Sequence, residues 1–135
     1  MLKRIDHVGV IVRDIEEAVK LFSEVFGFKT PSSPYMDSQG EFESVLLVAG
    51  DVNLELIAPI NLSGALANFL ERRGEGLHHI SIEVDDIDQE LESLKAKGVR
   101  LVDEKAQVVR NNNVAFLHPI ATKGTLVELT EKVPM

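Results

Sequence analysis

The sequence has no cysteine and no tryptophan, and its basic residues are outnumbered by acidic ones. Without cysteine it can form no disulfide, thiolate metal ligand or cysteine nucleophile, which is compatible with a reducing compartment. The 14 Lys and Arg against 22 Asp and Glu give a net charge of -8. This charge argues against nucleic acid as a partner, because duplex binding depends on cationic side chains at the phosphates.

Long apolar runs are also missing. Asp6 and His7 interrupt the apolar stretch near Met1, so we expect no signal peptide, and no run reaches the length of a membrane-spanning helix. We therefore expect a cytoplasmic protein with no membrane partner. Its 135 residues, 44% hydrophobic and 27% charged, match one globular domain with a sizeable core.

The chain contains an internal repeat. The segment IDHVGVIVRDI, Ile5 to Ile15, aligns without gaps on LHHISIEVDDI, Leu77 to Ile87. Each copy reads as a strand with a histidine at its third position and an aspartate suited to cap the following helix. The helical apolar spacing that follows each copy ends at a glycine, Gly27 and Gly98, as left-handed helix ends do.

Strand-like segments follow each predicted helix, so each half reads as a β-α-β-β-β module. We predict one domain over 1–135, with module one at about 1–60, a linker helix at about 61–75 capped by Ser63, and module two at about 76–135. The fold class is therefore α+β. The predicted strands are Glu43–Val48, Val52–Ile57, Val114–His118 and Thr125–Thr130.

Strand alternation separates two faces on the first strand of each module. Val8, Val10 and Val12 form an apolar face suited to packing under the helix, and His7 lies on the opposite face beside Gly9. In the second copy the equivalent positions place His79 beside Ser81. Each histidine therefore has a small neighbour that leaves room for a ligand.

A duplicated His–Glu pair predicts a metal site. His79 follows His7 by 72 residues, and Glu128 follows Glu55 by 73. Each glutamate interrupts an otherwise apolar strand, where a carboxylate is costly unless it is paired with a cation. Two imidazoles and two carboxylates suit Co²⁺, Mn²⁺, Ni²⁺, Fe²⁺ or Zn²⁺, with open positions left for water or substrate.

Other titratable residues have simpler interpretations. Glu43 lies on the strand that contains Val45 and Leu47, and we expect it to point towards the ligand, as a general base would. His78 is expected to pack on the helix side of its strand, and His118, followed by a proline, is expected in a turn.

These modules and ligands resemble the vicinal oxygen chelate superfamily, which includes glyoxalase I. The segments IDHVGV, NLELIAPI, FLERRGEGLHHISIEVDDI and VAFLHPIATKGTLVELTE resemble its methylmalonyl-CoA epimerases over nearly the whole chain. The resemblance implies two tandem modules forming a curved, cup-like mixed sheet with helices outside. It also implies a divalent ion, Co²⁺ first with Mn²⁺, Ni²⁺ and Zn²⁺ as alternatives, on His7, Glu55, His79 and Glu128. Glu55 departs from relatives that have Gln there, and VVRNNNVAF departs from their Gly-rich loop.

The resemblance further implies an isomerase that interconverts (2R)- and (2S)-methylmalonyl-CoA by removing the C2 proton, through an enolate that the metal stabilises. Glu43 and Glu128 are then the candidate acid and base, an acyl-CoA thioester is the ligand, and the protein is a homodimer. The alternatives are glyoxalase I, a lyase acting on the methylglyoxal–glutathione hemithioacetal, and a non-catalytic ligand-binding protein of the same fold. A ring-cleaving dioxygenase, which needs two His and one carboxylate, ranks last.

Overall fold

The computed structural model describes residues 2–30 and 33–134. Contacts divide them into two units. The first unit is His7–His78, and the second combines residues 2–6 with 79–134. Each unit has its own hydrophobic core, and the boundary falls within strands that the sequence predicted to be equivalent.

In the first unit a mixed sheet packs against a helix. The strands are ordered β2-β3-β4-β1, antiparallel except for the parallel pair β4 and β1. The elements are β1 (Leu2–Ile11, from His7 onward in this unit), α1 (Ile15–Lys20), a π-helical continuation (Leu21–Val25), β2 (Tyr35–Met36), β3 (Phe42–Ala49), β4 (Val52–Pro59) and α2 (Ala65–Arg73).

The second unit repeats this arrangement. Its strands are ordered β5-β8-β7-β6, with β5 and β8 parallel and the other pairs antiparallel. The elements are β5 (Gly76–Val84, from His79 onward in this unit), α3 (Ile87–Ala96), β6 (Gln107–Val109), β7 (Asn112–Phe116), a short 3-10 helix (Pro119–Thr122) and β8 (Val127–Glu131).

These element orders confirm the predicted α+β class and the two β-α-β-β-β modules. The sequence patterns located the longer strands and missed the short edge strands β2 and β6, which have two and three residues. The linker helix α2 begins after Gly64, and no side chain caps it, so the predicted cap at Ser63 is wrong. That the whole chain forms one domain stays a prediction.

The helix of each unit begins at an equivalent aspartate cap and is followed by an equivalent glycine, as the sequence predicts. The carboxylate of Asp14 accepts a hydrogen bond from the backbone N–H of Glu17 at 3.1 Å. Asp86 accepts from Gln89 at the same distance. Gly27 and Gly98 lie just beyond the helices with φ of 80° and 78°, the left-handed conformation that glycine adopts without steric cost.

One face of each sheet, here called the helix face, holds the core. In the first unit Val12, Val45, Leu47, Leu56 and Ala58 pack against Ile15 and Ala18 of α1. In the second unit the helix face packs against Ile87 and Leu91 of α3; its buried members are Val84, Ala115, Leu117, Val127 and Leu129.

Ion pairs attach the start of β1 to the second unit. Lys132 lies 3.1 Å from Oδ1 of Asp6, a buried carboxylate. Lys3 lies 3.1 Å from Asp85 and 3.9 Å from Glu83. The hydrogen bond and charge of Asp85 raise the pKa of Lys3 above its usual value. These contacts join residues 2–6 to the rest of the second unit.

Among the residues that the structure describes, no helix combines the length and apolar character needed to cross a membrane.

The cap of α3 gives a stability prediction. Replacing Asp86 with Ala removes the acceptor for the Gln89 N–H and should lower the free energy of unfolding by about 1 kcal/mol, measured by urea denaturation. Asp86→Asn is the matched control, because an amide oxygen caps about as well, and it should stay within a few tenths of a kcal/mol of the unmodified protein. Equal losses in both variants would contradict this role.

Candidate metal centre

The first His–Glu pair lies on the face of its sheet opposite α1, here called the site face. His7 is on β1 and Glu55 is on the parallel neighbour β4, directly beside Gly9. The His7 Nε2 and Glu55 Oε1 atoms are 3.3 Å apart. Both residues are buried, with 9% and 6% of their surfaces exposed. Because Gly9 has no side chain, the Glu55 carboxylate has room to reach the imidazole.

The second pair has the same construction on the site face of its own unit, opposite α3. His79 is on β5 and Glu128 is on the parallel neighbour β8, directly beside Ser81. The His79 Nε2 and Glu128 Oε1 atoms are 3.8 Å apart. These residues are 5% and 7% exposed. Each unit therefore independently holds one imidazole nitrogen near one carboxylate oxygen.

The chemistry of these donors fits a divalent metal. A buried carboxylate loses its hydration, and a neutral imidazole does not supply the missing positive charge. Imidazole and carboxylate are also the usual nitrogen and oxygen ligands of first-row divalent ions. These buried residues thus indicate a divalent metal site, and they leave the identity of the ion open.

An aromatic contact positions the imidazole of the second pair. Phe116 of β7 lies beside Glu128 in the strand register, and its ring meets the His79 ring edge to face with centroids 5.5 Å apart. Such a contact favours one orientation of the imidazole. In the first unit the position beside Glu55 is occupied by Leu46 of β3.

The structure places Glu43 on the helix face of its sheet rather than on the site face. Glu43 pairs with Ala58, and by alternation it shares the helix face with Val45 and Leu47, which pack against α1. Glu55 lies on the opposite face of the same sheet. The expectation that Glu43 points with Val45 towards the ligand is therefore wrong, because those buried side chains face the helix core. Its role as a base stays a prediction, and this geometry counts against it.

The remaining histidines are where the sequence predicted them. His78 packs edge to face on Phe69 of α2, with centroids 4.7 Å apart. His118 caps the short 3-10 helix, and its Nδ1 accepts from the backbone N–H of Ile120 at 3.1 Å. Neither contact belongs to a His–Glu pair.

Sequence reasoning missed a buried hydroxyl pair on the site face of the second unit. Ser81 and Thr130 are 0% and 2% exposed, and their Oγ and Oγ1 atoms are 3.1 Å apart. From the sequence, Ser81 is only a small residue that leaves room for a ligand. The register between β5 and β8, which places Ser81 beside Glu128, was the signal that could have identified the pair.

Residues 6–116 match the model of the Glyoxalase/Bleomycin resistance protein/Dioxygenase superfamily, and the chain belongs to this superfamily. The same family is often described as vicinal oxygen chelate proteins. This membership confirms the resemblance to that superfamily seen in the sequence, and the two observed modules agree with it.

Within the superfamily the chain is similar to methylmalonyl-CoA epimerases. It is 33% identical to the mitochondrial methylmalonyl-CoA epimerase of Bos taurus over 132 residues, 96% of this chain and 75% of that protein. It matches the crystal structure of the Mycobacterium tuberculosis methylmalonyl-CoA epimerase with a TM-score of 0.92 and 30% identity, covering 98% and 90% of the two chains. A methylmalonyl-CoA epimerase in complex with methylmalonyl-CoA and NH4+ gives a TM-score of 0.90 at 26% identity, covering 98% and 96%. The predicted fold class is confirmed.

Proposed function

We propose that this protein is a metal-dependent isomerase that interconverts the (2R) and (2S) forms of methylmalonyl-CoA. The observation that most strongly supports this proposal is a buried carboxylate beside an imidazole in each of the two repeated units. Support comes from a chain that is similar over nearly its whole length to epimerases acting on this thioester. One of these solved relatives is in complex with methylmalonyl-CoA itself.

His7, Glu55, His79 and Glu128 are the proposed ligands of one divalent ion. The in-register duplication of the two pairs and the superfamily membership support a shared site. The two carboxylates balance the charge of a 2+ ion. In relatives with Gln at the position of Glu55, the ion and its ligands would keep a net charge of +1. When bound, the ion supplies Lewis-acid stabilisation of negative charge that develops on substrate oxygens.

The chain's own residues must then move a proton at C2, a carbon made acidic by the thioester and carboxylate beside it. Glu128 is the proposed acid/base group, since it lies on the site face and is shielded from bulk water. Glu43 is the second candidate, and its place on the helix face makes Glu128 the stronger one.

Further properties of the protein belong to the same proposal. Co²⁺ is the expected ion, an acyl-CoA thioester the expected ligand, and the cytoplasm the expected compartment. A net charge of -8 requires local cationic side chains where the CoA phosphates bind. We also expect a homodimer, and sedimentation equilibrium would give the number of chains.

The decisive experiment follows deuterium entering C2 of methylmalonyl-CoA in D₂O, with the protein loaded with Co²⁺ and with the ion removed by a chelator. We expect exchange and interconversion of the two epimers with Co²⁺, and a loss of at least about a hundredfold without it, since the metal supplies much of the charge stabilisation.

Other outcomes distinguish the alternatives. Turnover of the methylglyoxal–glutathione hemithioacetal, without exchange at C2 of methylmalonyl-CoA, would identify a glyoxalase I activity. A folded protein that binds no metal and turns over neither substrate would support a non-catalytic binding protein. No exchange by folded, metal-loaded protein would overturn the epimerase proposal.

Removing an imidazole tests the proposed ligands. His7→Ala and His79→Ala should each weaken Co²⁺ binding by at least about tenfold, measured by titration calorimetry and elemental analysis. His118→Ala is the control, because His118 caps a 3-10 helix and should keep the affinity within about twofold. If only one of the two ligand variants loses affinity, the ion binds to one unit rather than to both pairs.

The acid/base assignment has its own test. At saturating Co²⁺, Glu128→Gln should lower the exchange rate by about a hundredfold or more, as expected for losing a general base. Glu43→Gln should stay within about threefold, since Glu43 shares the helix face with Val45. A hundredfold loss in Glu43→Gln with unchanged Co²⁺ affinity would instead assign the base to Glu43.

A further inference from the structure

The segment around Asp103 binds both backbone polar groups of Phe116. The Asp103 Oδ2 atom accepts a hydrogen bond from the Phe116 N–H at 2.8 Å. The Phe116 carbonyl oxygen accepts from the backbone N–H groups of Val102 and Asp103, at 3.0 and 3.1 Å. Three hydrogen bonds therefore hold this one residue of β7, and all of the residues involved belong to the second unit.

These hydrogen bonds continue an edge of the sheet where strand pairing has stopped. The pairing of β6 with β7 reaches Val114, and Phe116 lies two residues further along β7. A backbone N–H or carbonyl group in a folded chain needs a partner, and here the side chain of Asp103 serves in place of a strand. Its other oxygen, Oδ1, accepts from Nε2 of Gln107 at the start of β6 at 3.0 Å, so both oxygens of this half-buried carboxylate are bound.

The residue held in this way touches a proposed metal ligand. The Phe116 ring meets the His79 ring at an interplanar angle of 86°, with centroids 5.5 Å apart. This edge-to-face geometry is favoured because the positive edge of one ring meets the negative face of the other. The terminal torsion of a histidine has broad minima, so a neighbouring ring fixed in place selects one orientation of the imidazole.

We propose that Asp103 is a positioning residue for the metal centre, acting through Phe116 on the orientation of the His79 imidazole. This inference rests on the proposed function, because it gives the two contacts a role at a proposed metal ligand. An imidazole binds a metal along the lone pair of its nitrogen, so its affinity for the ion depends on how the ring is turned. The carboxylate sets the position of the Phe116 backbone, and the Phe116 side chain sets the ring.

The first test needs neither metal nor substrate. NMR of the metal-free full chain follows the ring protons of His79, which His79→Ala identifies. Phe116→Leu removes the aromatic ring current, so these resonances should move towards those of a histidine without a ring neighbour. Asp103→Ala should move them in the same direction, because the Phe116 backbone is released. Asp103→Asn keeps an acceptor oxygen and should leave them close to their original positions.

The second test measures Co²⁺ binding by titration calorimetry and by the visible absorption bands of the bound ion. Phe116→Leu should weaken binding by about threefold to tenfold, as expected for losing one aromatic contact, and shift the bands. Asp103→Ala should give a loss within this range, and Asp103→Asn should stay within about twofold of the unmodified protein. The double variant should lose no more than Phe116→Leu alone, because both changes break the same series of contacts.

A matched control for the aspartate comes from the first unit. The Asp37 Oδ2 atom also accepts backbone N–H groups, those of Gln39 and Glu41. Asp37→Ala therefore removes the same charge and the same kind of hydrogen bond as Asp103→Ala. It should leave the His79 resonances unmoved and the Co²⁺ affinity within about twofold. An equal effect of both variants would assign the loss to net charge and overturn the inference.

A matched control for the ring is Phe22 of the π-helical segment, which meets Phe28 edge to face with centroids 5.6 Å apart. Phe22→Leu removes an aromatic contact from the helix side of the first unit, where Phe22 packs against the core. It should leave the His79 resonances and the Co²⁺ spectrum unchanged. Changes as large as those in Phe116→Leu would show a general effect of losing a ring and would contradict the proposed role.

The remaining outcomes separate the inference from the proposals beneath it. Folded Asp103→Ala protein, judged by circular dichroism, with unmoved His79 resonances and unchanged Co²⁺ affinity would overturn the positioning role and leave the metal centre intact. Losses that multiply in the double variant would show that Asp103 acts independently of Phe116 and would also overturn it. If Asp103→Ala does not fold, Asp103→Glu, which keeps the charge and displaces the acceptor, should move the same resonances.

Two results on the unmodified protein bear on the proposed function. Failure to bind Co²⁺ would overturn the metal centre, and the inference with it, whatever the His79 resonances show. Binding of Co²⁺ without exchange of the C2 proton would overturn the epimerase proposal alone.

Discussion

The burial of two carboxylates is the constraint that organises both units. Glu55 and Glu128 are each less than one-tenth exposed, and removing a carboxylate from water costs several kcal/mol unless positive charge or hydrogen bonds replace the lost hydration. In each unit an imidazole lies 3.3 or 3.8 Å from the carboxylate, and an imidazole is neutral in the form that ligates metals. A cation between such groups removes the cost, so the arrangement is better explained by metal binding than by an ion pair alone.

The two-residue period of the strands lets each sheet bury these carboxylates without disturbing its hydrophobic core. One face of each sheet packs on α1 or α3 through apolar side chains, and the alternate residues are then available for ligands. Parallel pairing of the first and last strands of each module brings the histidine of one strand to the glutamate of the other. The chemistry and the core therefore use the same strands without competing for the same positions.

The sequence predicted the features that repeat and missed those that do not. The caps Asp14 and Asp86 and the duplicated strands were found because each signal occurs twice in register. The edge strands β2 and β6 were missed because two or three residues give no readable period. The sequence predicts the ligand side for Glu43 from the burial of Val45, but burial alone does not tell which face of a sheet packs on a helix. Pairing register, which decides that question, is a long-range property.

Duplication makes two similar half-sites, whereas inversion of a carbon centre needs unlike partners. One group must take a proton from one face of the carbon and another must deliver a proton to the opposite face, so the two halves cannot contribute identically. The positions beside the ligands are where this chain breaks its own repeat: Gly9 and Ile57 in the first unit, Ser81 and Thr130 in the second. The carboxylate of Glu55 lies beside glycine and isoleucine, whereas that of Glu128 lies beside two buried hydroxyl groups. On the proposed function, the asymmetry that epimerisation requires would thus arise from the neighbours of the ligands rather than from the ligands themselves.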